Sequence, residues 1–121
     1  YTTSNAVHQT AKLDKSQWAD YLNWLYDLEY NKIGIPKPDI VIFLDMPIEV
    51  SQKLMSGRYK GDETKKDIHE SDIKYLENCR KAAGFVAAHS GWKIINCAEN
   101  NEPRSVESIA EDILKAVLSV L

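Results

Sequence analysis

An uninterrupted run of five apolar residues, Ile40 to Leu44, is the feature that most restricts the fold of this chain. The run is rich in β-branched residues and is continuous rather than alternating, which is typical of a strand buried on both faces in a parallel sheet. A second strand is predicted over Lys93–Cys97. Because predicted helices separate the two strands, the sequence indicates an α/β arrangement with parallel strands. Two strands are few for a covered parallel sheet, so the chain is short of strands.

Helical periodicity accounts for most of the remaining sequence. The first helix, of about four turns, is predicted after Asp14, which caps it in a capping box with Gln17. The segment 31–38 stops it, because Gly34 can take a positive φ and Pro36 and Pro38 hold the chain extended. The apolar stripe of this helix, expected in the core, consists of Trp18, Leu22, Leu25 and Leu28. Further helices are predicted over residues 47–57, from the Asp67–Glu70 capping box to Gly91, and from Ser105 to Leu121.

Three segments lack this periodicity. Residues 1–13 are polar and predict a loop or short helical turns, residues 57–66 predict a charged loop, and residues 98–104 predict another loop. The last helix, by contrast, carries a clean apolar face that is expected in the core: Val106, Ile109, Ala110, Ile113, Leu114, Val117, Leu118 and Leu121.

The composition excludes several classes of protein. The formal net charge of −3 argues against a general nucleic-acid binder, and no apolar run reaches the roughly 18 residues of a membrane span. The only cysteines, Cys79 and Cys97, do not suffice for a disulfide scaffold and match no metal motif, which favours a cytoplasmic location. The chain starts at Tyr1 rather than at a methionine, and together with the shortage of strands this predicts a piece of a longer protein.

Four stretches of the chain resemble thymidylate kinase, in this order: YTTSNAVHQ, IPKPDIVIFLD, DIHESDIKYL and NCAENNEPRSVESIAEDI. That family consists of P-loop nucleoside monophosphate kinases, which transfer the γ-phosphoryl group of ATP to dTMP. The resemblance runs along residues 1–121, taken as one domain, but covers only the C-terminal part of the family's length. It implies a P-loop kinase fold of the α/β class. This chain would hold the C-terminal part of the parallel sheet and its flanking helices, without the N-terminal strands and the P-loop.

The chain departs from the family in its phosphate-binding parts. No G-x-x-x-x-G-K-[ST] pattern can be drawn through its glycines, and the family's Asp-Arg pair would stand just before Tyr1. Phosphoryl transfer depends on that loop, its lysine, magnesium and arginines. We therefore expect Mg²⁺ to act with ATP in the intact enzyme, no metal to be bound by this chain alone, and the isolated chain to be inactive.

The resemblance implies that the first segment contacts dTMP. Ser4, Asn5 and Gln9 fall in the stretch that binds base and sugar, and the Asn5 amide suits the N3–H and O4 edge of thymine. His8 stands where the family often places an aromatic residue against the deoxyribose. Tyr1 would help to position the neighbouring arginine. The alternative interpretation is a polar loop with helix-capping residues.

By resemblance, the charged loop at about 57–66 is a lid that closes over ATP. Arg58 is the candidate catalytic residue, because an arginine there neutralises charge on the transferred phosphoryl group or stacks on adenine. Lys60 is a second candidate for ATP binding, and Tyr59 is a candidate contact to the bound dTMP. The alternative is a solvated loop of mixed charge, the interpretation that we favour for Lys65 and Lys66.

Four further residues have a candidate role. By resemblance Glu70 contacts dTMP or an arginine near it, although completing the capping box with Asp67 is a sufficient role in itself. His69 is expected at the surface. Arg104 is the candidate ATP-binding residue in the loop that would rest against adenine. Asp45 ends the first strand, where a turn or cap role is favoured over magnesium binding.

The expected partners are dTMP and ATP, with no nucleic acid and no membrane. Family members are typically homodimers, and three aromatic residues off the main helix stripe would lie at a subunit interface or at the core edge: Tyr21, Trp24 and Tyr26. Two other functions stay open, a kinase of another nucleoside monophosphate and a non-catalytic helical interaction domain. The strand 40–44 is expected to lack a neighbour in isolation, so the chain is expected to self-associate or to dock on the missing half of the protein.

Overall fold

The computed structural model describes residues 1–58 and 70–121. Its regular elements are, in chain order, α1 (Thr2–Thr10), α2 (Trp18–Tyr26), β1 (Ile42–Asp45), α3 (Ile48–Arg58), α4 (Glu70–Ser90), β2 (Lys93–Asn96), β3 (Ala98–Glu99), β4 (Glu102–Pro103) and α5 (Val106–Leu118). A short 3₁₀ turn precedes α2, and a π-helical segment, Asp27–Ile33, follows it. The chain divides into two compact units. Unit 1 comprises Tyr1–Val41 and Asn78–Lys93, and unit 2 comprises Ile42–Glu77 and Ile94–Leu121.

The two predicted strands pair with each other as β1 and β2. The amide of Lys93 donates to the Val41 carbonyl at 2.9 Å, and the amide of Cys97 donates to the Asp45 carbonyl at 2.8 Å. The partner carbonyl advances in the same direction along both segments, so the strands run parallel. The prediction of neighbouring parallel strands is confirmed. The expectation that strand 40–44 lacks a neighbour is wrong, because β2 pairs with it, and the expected burial on both faces is not found, because Leu44 is 49% exposed.

Unit 1 has a closed apolar core. Ala6, Leu22 and Val86 are fully buried, and Leu25 is nearly so. Trp18 packs against Phe85 with ring centroids 5.3 Å apart, and its indole N–H donates to the Leu13 carbonyl at 3.1 Å. Trp18, Leu22 and Leu25 are buried, which confirms their predicted place in the core.

The N-terminal segment is a nine-residue helix, so the prediction of a loop or short turns over residues 1–13 is wrong there. Thr2, Ala6 and Thr10 follow one another at spacings of four, which places them on one helix face, and all three are buried. Burial of this face stabilises the helix despite its weak intrinsic propensity. Threonine counts as polar in a hydrophobic pattern, so the periodicity was hidden in the sequence.

The second helical segment begins and ends close to the predicted residues. The Asp14 carboxylate caps the 3₁₀ turn by accepting from the Ser16 amide at 3.3 Å, whereas the expected capping box paired it with Gln17. Gly34 terminates the π-helical segment with a φ of 85°, a left-handed conformation that glycine adopts without a steric penalty. The predicted stop within residues 31–38 and the positive φ of Gly34 are therefore confirmed.

Unit 2 differs from the prediction in two places. Ser105 caps α5 as expected, since its Oγ accepts from the Ser108 amide at 3.1 Å. The face of α5, however, is largely outside the core: Val106, Leu114 and Leu118 are 78%, 57% and 57% exposed. The predicted loop over 98–104 contains a small antiparallel hairpin, β3–β4.

Among the helices of the described ranges, none has the length and apolar character of a membrane span.

Candidate functional site

The four residues predicted to contact dTMP share one face of α1. Ser4 and His8, like Asn5 and Gln9, are four positions apart, so their side chains lie on the same side of the helix. Ser4, His8 and Gln9 are exposed and Asn5 is half-buried. The opposite face, with Thr2, Ala6 and Thr10, faces the core of unit 1. The helix therefore presents a polar surface on a support fixed from behind.

This polar surface has the chemistry of a recognition site. It offers one hydroxyl, two carboxamides and one imidazole, which together can donate and accept hydrogen bonds. None of these four side chains is engaged with another residue of the part of the chain that the structure describes. Their assignment to dTMP stays a prediction. Tyr1, at the start of the same helix, is fully exposed, and its carbonyl accepts from the Asn5 amide at 2.8 Å.

The lid residues fall largely outside the described residues. The backbone of Arg58 ends α3 and that of Glu70 begins α4, but their side chains are not described. The other predicted positions, Tyr59, Lys60, Lys65, Lys66, Asp67 and His69, lie in the stretch between them, outside the described residues. The catalytic role of Arg58, the nucleotide contacts of Tyr59, Lys60 and Glu70, and the capping box all stay predictions.

Arg104 is held by a network of contacts in unit 2. Its guanidinium donates to the Asn96 carbonyl at 2.6 Å, to the Ser108 Oγ at 2.6 Å and to the Asp112 carboxylate at 2.8 Å. The side chain is only 18% exposed. These contacts join the end of β2 to α5, because Asn96 lies on the strand and Ser108 and Asp112 lie on the helix. The predicted ATP contact of Arg104 stays a prediction.

The strand ends next to Arg104 place Asp45 and Cys97 close together. Burial raises the pKa of the Cys97 thiol, the nearby Arg104 charge lowers it, and the Asp45 carboxylate raises it. The thiol donates to the Ile95 carbonyl at 3.5 Å. Cys97 is thus a buried thiol with a raised pKa. Asp45 is the last residue of β1, as predicted, and its turn or cap role stays a prediction.

The hairpin in the segment predicted as a loop has a recognisable turn. Asn100 and Asn101 have φ values of 52° and 65°, and two consecutive positive φ angles are typical of a type I′ turn. Lys53 of α3 supports it by donating to the Asn101 carbonyl at 3.2 Å. The Asn-Asn pair was the available sequence signal, since asparagine tolerates the left-handed region better than most residues.

The acidic and imidazole side chains of the described residues are dispersed. Across residues 1–58 and 70–121, no group of three or more His, Cys, Asp or Glu side chains is placed to hold a metal ion.

Comparison with known proteins identifies relatives of one kind. The chain is 27% identical over 93 residues to the thymidylate kinase of Mycobacterium tuberculosis, a match over 76% of this chain and 43% of the relative. It is 37% identical over 103 residues to the probable thymidylate kinase of Thermococcus onnurineus, covering 84% of this chain and 44% of that protein. The probable thymidylate kinase of Thermococcus kodakarensis is 35% identical over 107 residues, or 87% and 46% of the two chains.

No protein-family model and no solved structure matches the chain. The relatives nevertheless confirm the resemblance to thymidylate kinase, and the chain spans less than half the length of each of them. They imply a P-loop kinase fold, with which the helix-rich arrangement and its parallel strand pair are compatible.

Proposed function

We propose that this chain forms part of a thymidylate kinase, which transfers the γ-phosphoryl group of ATP to dTMP and produces dTDP for DNA precursor synthesis. The observation that carries the proposal is the similarity to thymidylate kinases along 76–87% of the chain. In this proposal the chain supplies the base and sugar contacts to dTMP, the lid and the loop next to adenine. The protein would act in the cytoplasm.

The outer face of α1 is the proposed base and sugar site. The Asn5 carboxamide donates to O4 and accepts from N3–H of thymine, because an amide presents both groups side by side. Ser4 and Gln9 bind the sugar or the remaining base edge, and His8 packs against the deoxyribose. The buried face of α1 supports this role, since a helix fixed by packing holds its polar side chains with little loss of entropy on binding.

The remaining predicted residues act on the phosphates and on adenine. Arg58 stabilises charge on the transferred phosphoryl group, and Lys60 assists in binding ATP. Tyr59 and Glu70 contact dTMP. Arg104 lies against adenine through its backbone and its aliphatic stem, because its guanidinium already binds Asn96, Ser108 and Asp112. Bound Mg²⁺ would neutralise phosphate charge when ATP is present.

The isolated chain is proposed to be inactive. The sequence lacks the glycine loop whose amides and lysine bind the ATP phosphates, and positioning of these phosphates accounts for most of the catalysis in phosphoryl transfer. Incubation of the 121-residue chain with ATP, Mg²⁺ and dTMP should give no dTDP above background. Measurable formation of dTDP would contradict this part of the proposal.

A chimeric enzyme tests the function itself. The matched segment of the Thermococcus kodakarensis relative would be replaced by residues 1–121, and ATP-dependent formation of dTDP would be measured. We expect activity with dTMP. Asn5→Ala should lower kcat/KM for dTMP at least about tenfold, because it removes both base contacts. The matched control is Lys12→Ala, an exposed residue just beyond the same helix, which should leave kcat/KM unchanged.

The alternatives give different results in the same experiment. A kinase of another nucleoside monophosphate would give a folded chimera that prefers dUMP, dCMP or dAMP over dTMP. A non-catalytic helical domain would give a folded but inactive chimera, as judged by circular dichroism and by dTDP formation. An Asn5→Ala chimera with full activity would remove α1 from the dTMP site.

Homodimer formation is a further part of the proposal. Trp24 is 57% exposed and lies 6.0 Å from the ring of Tyr21, while Tyr26 is half-buried. Exposed aromatic side chains are enriched in protein interfaces. Tyr21 and Tyr26 pack against the core cluster of unit 1, as expected for core-edge residues. We assign the exposed Trp24 to the subunit interface, and sedimentation of the Trp24→Ala chimera should show a weakened dimer.

A further inference from the structure

A cavity of about 320 Å³ lies in unit 1 beside the segments that precede the two parallel strands. Residues 38–41 line one side, Trp92 lines a second, and the rings of Tyr26 and Tyr30 line a third. A smaller cavity of about 260 Å³ shares Tyr26, Tyr30 and Lys37 with it, so the two adjoin. No residue of the proposed nucleotide site lines either cavity. The proposed function therefore leaves this space unexplained.

The aromatic wall of the cavity is built on an uncommon backbone. Residues 27–33 form a π-helix of seven residues, whereas π-helical turns are rare and concentrate at functional sites. Tyr30 lies on this segment and stacks on Tyr26, with ring centroids 5.7 Å apart and an interplanar angle of 14°. The π-helical segment thus contributes to a stacked pair of rings among the residues that line the cavity.

The rings are fixed before any ligand binds. The hydroxyls of Tyr26 and Ser90 share a hydrogen bond of 2.6 Å, and the Tyr30 ring is held by its stacking on Tyr26. Trp92 packs against the core cluster of unit 1. Burial raises the pKa of both tyrosines, so their hydroxyls stay protonated near neutral pH. Preformed walls lower the entropic cost of binding a small molecule.

The charged groups of the cavity are one cation and one anion. Lys37 and Asp39 both line it, and neither has an ion-pair partner among the described residues. Asp27, in the adjoining cavity, is already engaged with Lys32 at 3.2 Å and with Asn31 at 3.0 Å. The charges available to a ligand are therefore balanced, which favours a ligand with one group of each sign over a simple anion or cation.

From these contacts we infer that the cavity binds a small zwitterion carrying a planar ring, of which a free aromatic amino acid is the simplest representative. Its ring stacks on the tyrosine pair and Trp92, its carboxylate binds Lys37, and its ammonium group binds Asp39. The larger cavity has a volume near the lower end of ligand pockets, about 300–1,000 Å³, which suits a molecule of this size.

The test is an NMR titration of the isotope-labelled chain with L-phenylalanine. The signal is the indole N–H resonance of Trp92, assigned with the Trp92→Phe variant. Two analogues serve as matched ligands: hydrocinnamate lacks the ammonium group, and phenethylamine lacks the carboxylate. Phenylalanine should shift the Trp92 resonance saturably with a Kd of about 1 mM or less, and each analogue should bind at least about fivefold more weakly.

Substitutions of the two charged residues sharpen the test. Lys37→Met should abolish the preference for phenylalanine over phenethylamine, and Asp39→Asn should abolish the preference over hydrocinnamate. Both side chains are exposed, so neither change should disturb folding. Lys12→Met, an exposed lysine of unit 1 outside the cavity, should keep both preferences.

Three results would overturn the inference. The first is no saturable shift of the Trp92 resonance up to about 10 mM phenylalanine. The second is equal binding of the zwitterion and its two analogues, which would mean that the charges do not participate. The third is an unchanged ligand preference in both Lys37→Met and Asp39→Asn. None of these measurements depends on kinase activity, so the inference and the proposed function fail or succeed separately.

Discussion

Unit 1 and unit 2 differ in how they accommodate their large apolar side chains. In unit 1, Leu22 and Val86 are fully removed from solvent, and Trp18 packs against Phe85. In unit 2, Val50 is fully buried, and Ile95, Cys97 and Ala116 are nearly so. Several of its larger apolar side chains stay exposed: Leu44, Leu54, Ile94, Val106, Leu114, Leu118 and Leu121.

The difference is one of degree. Unit 1 buries the cluster of Ala6, Leu22, Leu25 and Val86 but leaves Trp24, Ile33 and Ile35 exposed. Unit 2 exposes more large apolar side chains, most of them on or just after α5, and exposed apolar patches commonly mark interaction surfaces. Unit 2 also contains the polar network around Arg104.

The largest expected effect is the loss of a side chain from the core of unit 1. Leu22→Ala should lower the free energy of unfolding by about 2–5 kcal/mol, because it leaves a cavity among Ala6, Leu25 and Val86. The matched control is Leu114→Ala on the exposed face of α5, expected to cost less than about 0.5 kcal/mol. Urea denaturation measures both changes, and equal costs would contradict the contrast between the units.

A second prediction concerns the exposed apolar face of unit 2. The purified chain should self-associate, and the double substitution Leu114→Glu and Leu118→Glu should raise the dissociation constant at least about tenfold, because it places two charges on that face. Sedimentation velocity measures the change, with Lys12→Glu, an exposed residue of unit 1, as the control. A stable monomer of the unaltered chain would show that the exposed apolar face of α5 does not mediate self-association.

A third prediction tests the polar contribution to unit 2. Arg104→Lys should lower the free energy of unfolding by about 1–2 kcal/mol, since a lysine does not reach Asn96, Ser108 and Asp112 together. Lys53→Met, which removes an exposed ion pair with Glu102 at 3.5 Å, should cost less than about 0.5 kcal/mol. Thermal denaturation of the two variants distinguishes them, and an Arg104→Lys protein as stable as the parent would rule out the network as a stabilising feature.

The smallest expected effect is a loss of stability of unit 1 at alkaline pH. Burial raises the pKa of Tyr26 above its usual value of 10.0. The protonated hydroxyl therefore contributes fully to the free energy of unfolding below that value, and this contribution is lost as the pH rises through the folded-state pKa. Tyr26→Phe should cost about 1 kcal/mol at neutral pH by removing the bond to Ser90, and should reduce the alkaline loss of stability.

The control for this change is Tyr1→Phe, because the Tyr1 side chain is fully exposed. Denaturation midpoints between about pH 8 and about pH 11 provide the measurement. Identical pH profiles of the parent and the Tyr26→Phe variant would show that this hydroxyl is not coupled to folding.

The sequence predicted those parts of the fold that have strong local signals. Continuous hydrophobicity identified β1, Gly34 and Gly91 marked turns with positive φ, and Ser105 was recognised as a helix cap. Helix α1 was missed because its buried face consists of threonine and alanine, which a hydrophobic pattern does not detect. The exposed face of α5 was assigned to the core because periodicity identifies an apolar face but not what covers it.

The candidate site was predictable only through family resemblance. Four polar residues in nine positions are common in loops, and their shared face follows only from the helix that the structure reveals. The cavity beside Tyr26 and Tyr30 was not predictable, since tyrosines four positions apart also occur in ordinary helices, and nothing in the sequence indicates π-helical backbone.

The core of unit 1 is assembled from two separate stretches of chain, residues 1–41 and 78–93, with residues 42–77 between them. During synthesis, Leu22 and Leu25 therefore stay without their partner Val86 until the second stretch has left the ribosome. Bringing the two stretches together costs chain entropy, and this cost is paid before contacts between Leu22, Leu25 and Val86 compensate for it. A nascent chain that stops short of Asn78 would present these leucines to chaperones and proteases.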